Sequence, residues 1–163
     1  MECGDAMAIY DLANSYANGV GHQQDYTKAL ELYHRAAEFG YAEAYFNVGC
    51  SYDCGLGVKQ NKKKAMHYYE LAAIGGCMMS RHNLGIDEED AGNMDRALKH
   101  YMIAVRGGVS NAVKGVQRLY SDGYATKDDY SQALESYQAY LGEIKSDQRD
   151  EAAAAHDTYK YYE

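Results

Sequence analysis

Residues 41–76, YAEAYFNVGCSYDCGLGVKQNKKKAMHYYELAAIGG, restate residues 5–40, DAMAIYDLANSYANGVGHQQDYTKALELYHRAAEFG, with 13 of 36 positions identical and no gap. Ala6, Ala8, Ser15, Tyr16, Gly19 and Gly21 return as Ala42, Ala44, Ser51, Tyr52, Gly55 and Gly57. Gln24, Lys28, Ala29 and Tyr33 return as Gln60, Lys64, Ala65 and Tyr69, and Ala36, Ala37 and Gly40 as Ala72, Ala73 and Gly76. A third copy, 77–108, follows the second through Asn83-Leu84-Gly85. It then loses four residues before Arg96-Ala97, Tyr101, Ala104 and Gly108. A fourth, 109–144, keeps Ala112, Val116, Tyr120, Gly123, Ala133 and Tyr137. A period of this length marks a stack of supersecondary units, none of which buries its apolar face alone.

Each copy reads as an antiparallel helix pair. Ala8, Leu12 and Tyr16 fall four apart on one face, with Leu12 as a core position; Ala29, Tyr33 and Ala36 share a face after the turn. The glycine pairs Gly19/Gly21 and Gly55/Gly57 lie between the runs, where a helix ends in the left-handed conformation. Asp25, Asn61, Asn93 and Asp128 are the candidate N-caps of the second helices. The Ala36-Ala37 and Ala72-Ala73 pairs let the next copy's first helix approach closely. In the fourth copy these positions hold Tyr140 and Leu141, and Ile144 replaces the closing glycine. A different element is therefore expected there: a capping helix over 146–162, beginning at Ser146, with a frayed tail as the alternative.

This pattern resembles the Sel1-like repeats, relatives of the tetratricopeptide repeats. Ala42, Ala44, Val48-Gly49, Tyr52, Gly55, Gly57-Val58, Lys64-Ala65, Tyr68-Tyr69, Ala72-Ala73 and Gly76 carry the likeness, which extends over residues 5–144. Departures are the absence of tryptophan, Glu88 where tyrosine is expected, and the shortened third turn. The resemblance implies an all-α fold: a right-handed α/α superhelical solenoid of four helix pairs plus the capping helix, forming one domain over 1–163. It also implies an adaptor or scaffold role in which first helices line a concave, partner-binding side.

On that orientation the inward positions outside the repeat pattern include Tyr10, Asn14, Phe46, Cys50, Asp53, Met79, His82, Ile86, Glu89, Lys114 and Arg118. Tyr10, Phe46, Met79, His82 and Ile86 would form an apolar strip with carboxylates toward one end and two cations at the other. Such a strip suits a protein or peptide segment. The competing expectation is that Phe46 and Ile86 simply pack between neighbouring first helices.

Composition narrows the classes. The 163 residues carry a net charge of −8, which disfavours a nucleic-acid partner. There are 18 Tyr, two Phe and no Pro, so tyrosine is the expected interface filler. Lys62-Lys63-Lys64 and Asp87-Glu88-Glu89-Asp90 read as solvated charge; the acidic run lacks the glycine turn of a calcium loop. No stretch is long and apolar enough to span a bilayer, and residues 1–5 lack signal-peptide character, so a cytoplasmic monomer is expected. Cys3, Cys50, Cys54 and Cys77 do not follow the repeat and read as reduced thiols. Neither a phosphate loop nor a nucleophile elbow occurs, so no catalytic role and no cofactor are expected. Two alternatives stay open: a metal-binding or enzymatic module around Cys50, Cys54 and His82, and a purely structural block of a longer solenoid.

Overall fold

A computed structural model describes the backbone of residues 3–159 and the side chains of residues 5–148 and Glu151. Among the described residues there are eight helices and no strand: α1 (Cys3–Asn18), α2 (Tyr26–Glu38), α3 (Ala42–Cys54), α4 (Lys62–Ile74), α5 (Met78–Asp90), α6 (Met94–Arg106), α7 (Ser110–Ser121) and α8 (Lys127–Tyr159). Each helix packs on its neighbour in sequence. In addition α5 touches α7 and α6 touches α8, so first and second helices form two layers of an all-α repeat solenoid.

The pairs form where the repeat supplies terminators. The Gly55 N–H bonds the Ser51 carbonyl with φ at +72°, and the Leu56 N–H reaches the same carbonyl, closing α3. The Asp25 and Asn61 side chains accept the N–H of Lys28 and Lys64 at 3.0 Å, as expected of N-caps. Gln24 and Gln60 hold each turn by donating from Nε2 to the carbonyls of Ala17 and Asp53, at 2.8 and 2.6 Å.

Two of the four expected caps are corrected. In the shortened third turn the Asn93 side chain donates to Glu88 at 2.8 Å and caps nothing. In the fourth copy the cap is Thr126 rather than Asp128. Its Oγ1 accepts the Asp129 N–H at 3.1 Å while the Asp129 carboxylate accepts the Thr126 N–H at 2.9 Å, a reciprocal box. These hydrogen bonds hold the Asp129 carboxyl below its usual range.

The core runs along the stack as successive clusters of alanine, tyrosine and valine. Ala36, Ala37 and Ala44 are buried together, as are Ala42, Ala72 and Cys77, which is the close approach that the alanine pairs permit. Glycine makes room for tyrosine: a Cβ at Gly49 would meet the Tyr69 ring at 2.6 Å. Tyr101 lies between Gly85 and Gly115 in the same way.

Leu12 is not core. It is 41% exposed, whereas Val48, its counterpart one repeat later, is 0% exposed. Val48 packs against α2, whereas among the described residues no second helix precedes α1 to cover Leu12. Nor is the terminal segment a separate capping helix. α8 runs without a break through Ser146, because no residue there stops it once Ile144 replaces the closing glycine. Residues 160–162 of that expected helix lie outside the described residues. Tyr140 packs back onto Gly108 in the turn between α6 and α7.

Candidate interaction face

The first-helix side is built by a motif that recurs in three pairs. Tyr33, Tyr69 and Tyr101 start from the second helices, are buried at the ring, and send their hydroxyls toward first-helix residues. Tyr33 donates to Asn14 Oδ1 at 2.7 Å. Tyr69 lies 3.5 Å from both Cys50 Sγ and Asp53 Oδ2. Tyr101 donates to Glu89 Oε2 at 2.7 Å. Burial pushes the Tyr33 phenol up to about 12, and it raises those of Tyr69 and Tyr101 as well, so all three stay neutral donors.

A second ring covers each of these tyrosines. Tyr10 lies 5.8 Å from Tyr33, Phe46 5.9 Å from Tyr69 and His82 5.7 Å from Tyr101, at equivalent repeat positions. Tyr10 also accepts a hydrogen bond from Asn47 at 3.1 Å and contacts Tyr41. Phe46 packs against two buried clusters, formed largely by the second helix α4 rather than by neighbouring first helices alone. Burial lowers the His82 pKa, with Arg118 adding to the effect, so its imidazole is neutral at pH 7.

Met79 and Ile86 point outward, 43% and 37% exposed, on the side of α5 away from buried Ser80 and Leu84. The charged end differs from a simple pair of free cations. Arg118 makes a two-pronged contact with Glu89, Nε to Oε1 and Nη2 to Oε2, both 2.7 Å. That contact ties α7 to α5, and Arg118 and Tyr101 together pull the Glu89 carboxyl below its usual range. Lys114 is exposed on α7. Asp53 pairs with Lys62 at 3.2 Å, and Lys62 reaches Asp87 at 3.6 Å.

Cys50, Cys54 and Cys77 are free thiols. Burial pushes the Cys50 thiol up to about 11, which keeps it protonated and a poor metal ligand. Among the described residues no three His, Cys, Asp or Glu side chains are grouped to hold a metal ion, so Cys50, Cys54 and His82 are not brought together as ligands. No helix among those residues is long and apolar enough to cross a membrane. The recurrence of Tyr33, Tyr69 and Tyr101 is the sequence signal for these hydroxyls, but their first-helix partners are not encoded in the spacing.

Comparison with known proteins agrees with this architecture. The Sel1 repeat family model matches residues 6–41 and 42–77. A Sel1 repeat protein from Oxalobacter formigenes superposes with a TM-score of 0.71 at 29% identity, over 85% of this chain and 58% of its own. The protein c5321, a protective antigen present in uropathogenic Escherichia coli strains and displaying an SLR fold, superposes with a TM-score of 0.73 at 28% identity. That match covers 84% of this chain and 31% of the antigen. This chain thus spans less than two thirds of either solved relative. No curated protein matches it.

Proposed function

We propose that this chain, in which residues 6–41 and 42–77 match the Sel1 repeat, is a non-catalytic scaffold that grips a protein or peptide segment on its first-helix face. The observation that carries this reading is the exposure of Met79 and Ile86, which lie three residues before and four after His82 on α5. Large apolar side chains grouped at a surface with a polar margin favour a partner. The margin consists of Asn14, Asp53 and the Glu89–Arg118 pair, with Lys114 beyond it. Tyr10 and Cys50 complete the face. The reading includes a cytoplasmic monomer with neither nucleic-acid nor membrane partners, in keeping with the net charge of −8.

The test is capture of partners from a cell extract by the full chain and by a Met79→Ser/Ile86→Ser variant, followed by mass spectrometry. The variant should lose the captured protein and keep its helicity and melting temperature. Equal capture by both would remove the reading.

A second reading, a block that stacks with a further helix pair, is favoured by one observation. Ala8 and Leu12 are exposed on α1, while their counterparts Ala44 and Val48 are buried against the preceding second helix. Appending a copy of residues 41–76 ahead of α1 should then raise the melting temperature of the whole array as one cooperative transition.

A further inference from the structure

Between the first and second helix pairs lies an aromatic cluster. Tyr52 and Tyr68 stack at 5.6 Å, Tyr45 lies 6.5 Å from Tyr68, and His34 meets Tyr68 edge-on at 5.5 Å. Lys64 Nζ sits 5.0 Å over the Tyr52 ring. At the next boundary the repeat register puts Glu70, Arg81, Glu88 and His100 in place of His34, Tyr45, Tyr52 and Tyr68, and Arg96 in place of Lys64. A packed set of rings has become a set of ionisable groups. These five residues line a cleft of about 260 Å³ between α4, α5 and α6.

Only part of this charge is satisfied within the protein. Arg96 Nη2 lies 2.7 Å from Glu88 Oε1, and the other Glu88 oxygen accepts from Asn93. Arg81 is half-buried and makes no ion pair among the described residues. Its guanidinium has one long hydrogen bond, 3.5 Å from Nη2 to the Ala73 carbonyl. His100 Nδ1 is fully buried with no hydrogen-bond partner. A buried polar atom left without a partner is costly, so a ligand that supplies one is favoured there.

We propose that this cleft is an oxyanion site, in which the carboxylate or phosphate group of a partner sits between the Arg81 guanidinium and His100 Nδ1. The guanidinium supplies a planar fork of donors, and the protonated imidazole supplies the opposing N–H. The groups facing His100 are Glu70 from α4, Arg81 and Glu88 from α5, and Arg96 from its own helix. Burial first, then Arg81, holds the His100 pKa down; Arg96 adds to this, while Glu88 and Glu70 oppose it. An arriving anion offsets the two guanidinium groups, so binding takes up a proton at His100 and tightens as the pH falls from 7 toward 6. The walls come largely from the second helices, so this site is separate from the first-helix face.

The experiment is titration of the full chain with inorganic phosphate and, separately, acetate at constant ionic strength. Imidazole and arginine Nε signals are followed by NMR, with chloride as the reference anion. Saturable shifts at His100 and Arg81 and a raised His100 pKa are expected. Arg81→Gln should weaken binding roughly tenfold or more, and His22→Gln, in the turn of the first helix pair, should not. Glu70 is exposed, so Glu70→Gln should keep the fold; by removing a negative charge from the cleft it should tighten binding at low pH, where His100 is already protonated, even if Arg81→Gln fails to fold. Stronger binding of phosphate assigns a phosphorylated side chain; acetate as strong or stronger assigns Asp or Glu. Linear, chloride-like shifts, or wild-type binding by Arg81→Gln, would overturn the proposal.

Discussion

Gly57, in the turn of the second helix pair, lies directly on the backbone of Tyr26 at the start of α2, so that a Cβ at Gly57 would be 2.5 Å from the Tyr26 carbonyl. The equivalent glycine one repeat earlier, Gly21, has the same left-handed backbone, φ +74° against +69°, with nothing within 4 Å of a Cβ. The two glycines therefore separate backbone strain from crowding. Gly21→Ala should cost only the strain, about 1 kcal/mol. Gly57→Ala should cost more than twice as much, because the turn must lift off α2. Urea denaturation of both variants measures the difference; equal costs would show that the turn does not press on the preceding pair.

Position in the stack should also decide the cost of truncating Leu12 and its repeat counterpart. Val48→Ala removes two buried methyl groups and should destabilise by about 2 kcal/mol. Leu12→Ala removes more atoms yet should cost less than about 1 kcal/mol, because 41% of that side chain already meets water. Thermal melts of the two variants settle the order.

The Glu89 ion pair should show as pH-dependent stability. The folded pKa of Glu89 is depressed, so its contribution is present above the unfolded carboxylate pKa, near 4.3, and is lost as the pH falls through the folded value. Screening by water limits it to about 1 kcal/mol at pH 7. The stability gap between wild type and Glu89→Gln should therefore close as the pH drops below about 4, measured by denaturation across that range. A gap that persists at low pH would show that packing, not charge, is what Glu89 provides.

Glu88 and Arg96 replace a tyrosine and a lysine as a pair, so they should be coupled. Arg96→Ala leaves Glu88, which is 7% exposed, without its counter-ion, and should cost roughly 2 kcal/mol. Glu88→Tyr combined with Arg96→Lys rebuilds the Lys64–Tyr52 arrangement and should recover most of that loss. A double-mutant cycle gives the coupling directly; additive single effects would contradict it.

Much of the fold was legible because the repeat states it twice. The helix pairs, the glycine turns, the Asp25 and Asn61 caps and the alanine seams each follow from a residue whose local chemistry leaves few choices. Asn93 and Asp128 misled because a cap is decided by competition. Asn93 had Glu88 within reach, and Thr126 stood two residues ahead of Asp128 with Asp129 to reciprocate. The interaction face was legible only as a set of positions. Sequence spacing shows which residues share a helix side but not which hydroxyl arrives from the neighbouring helix.

Taken alone, the sequence determined the period, the helix pairing and the sites of close approach, because these depend on small residues and glycines acting over a few positions. Tertiary structure decided which copies of a repeated residue are core and which are surface, as Leu12 and Val48 show, since burial depends on the neighbour each face meets. It also decided that Glu89 and Arg118, 29 residues apart, close on each other, and that Arg81, with no ion pair among the described residues, shares a cleft with a His100 ring nitrogen that has no hydrogen-bond partner. Charges are placed by the stacking of helices, which no single helix encodes.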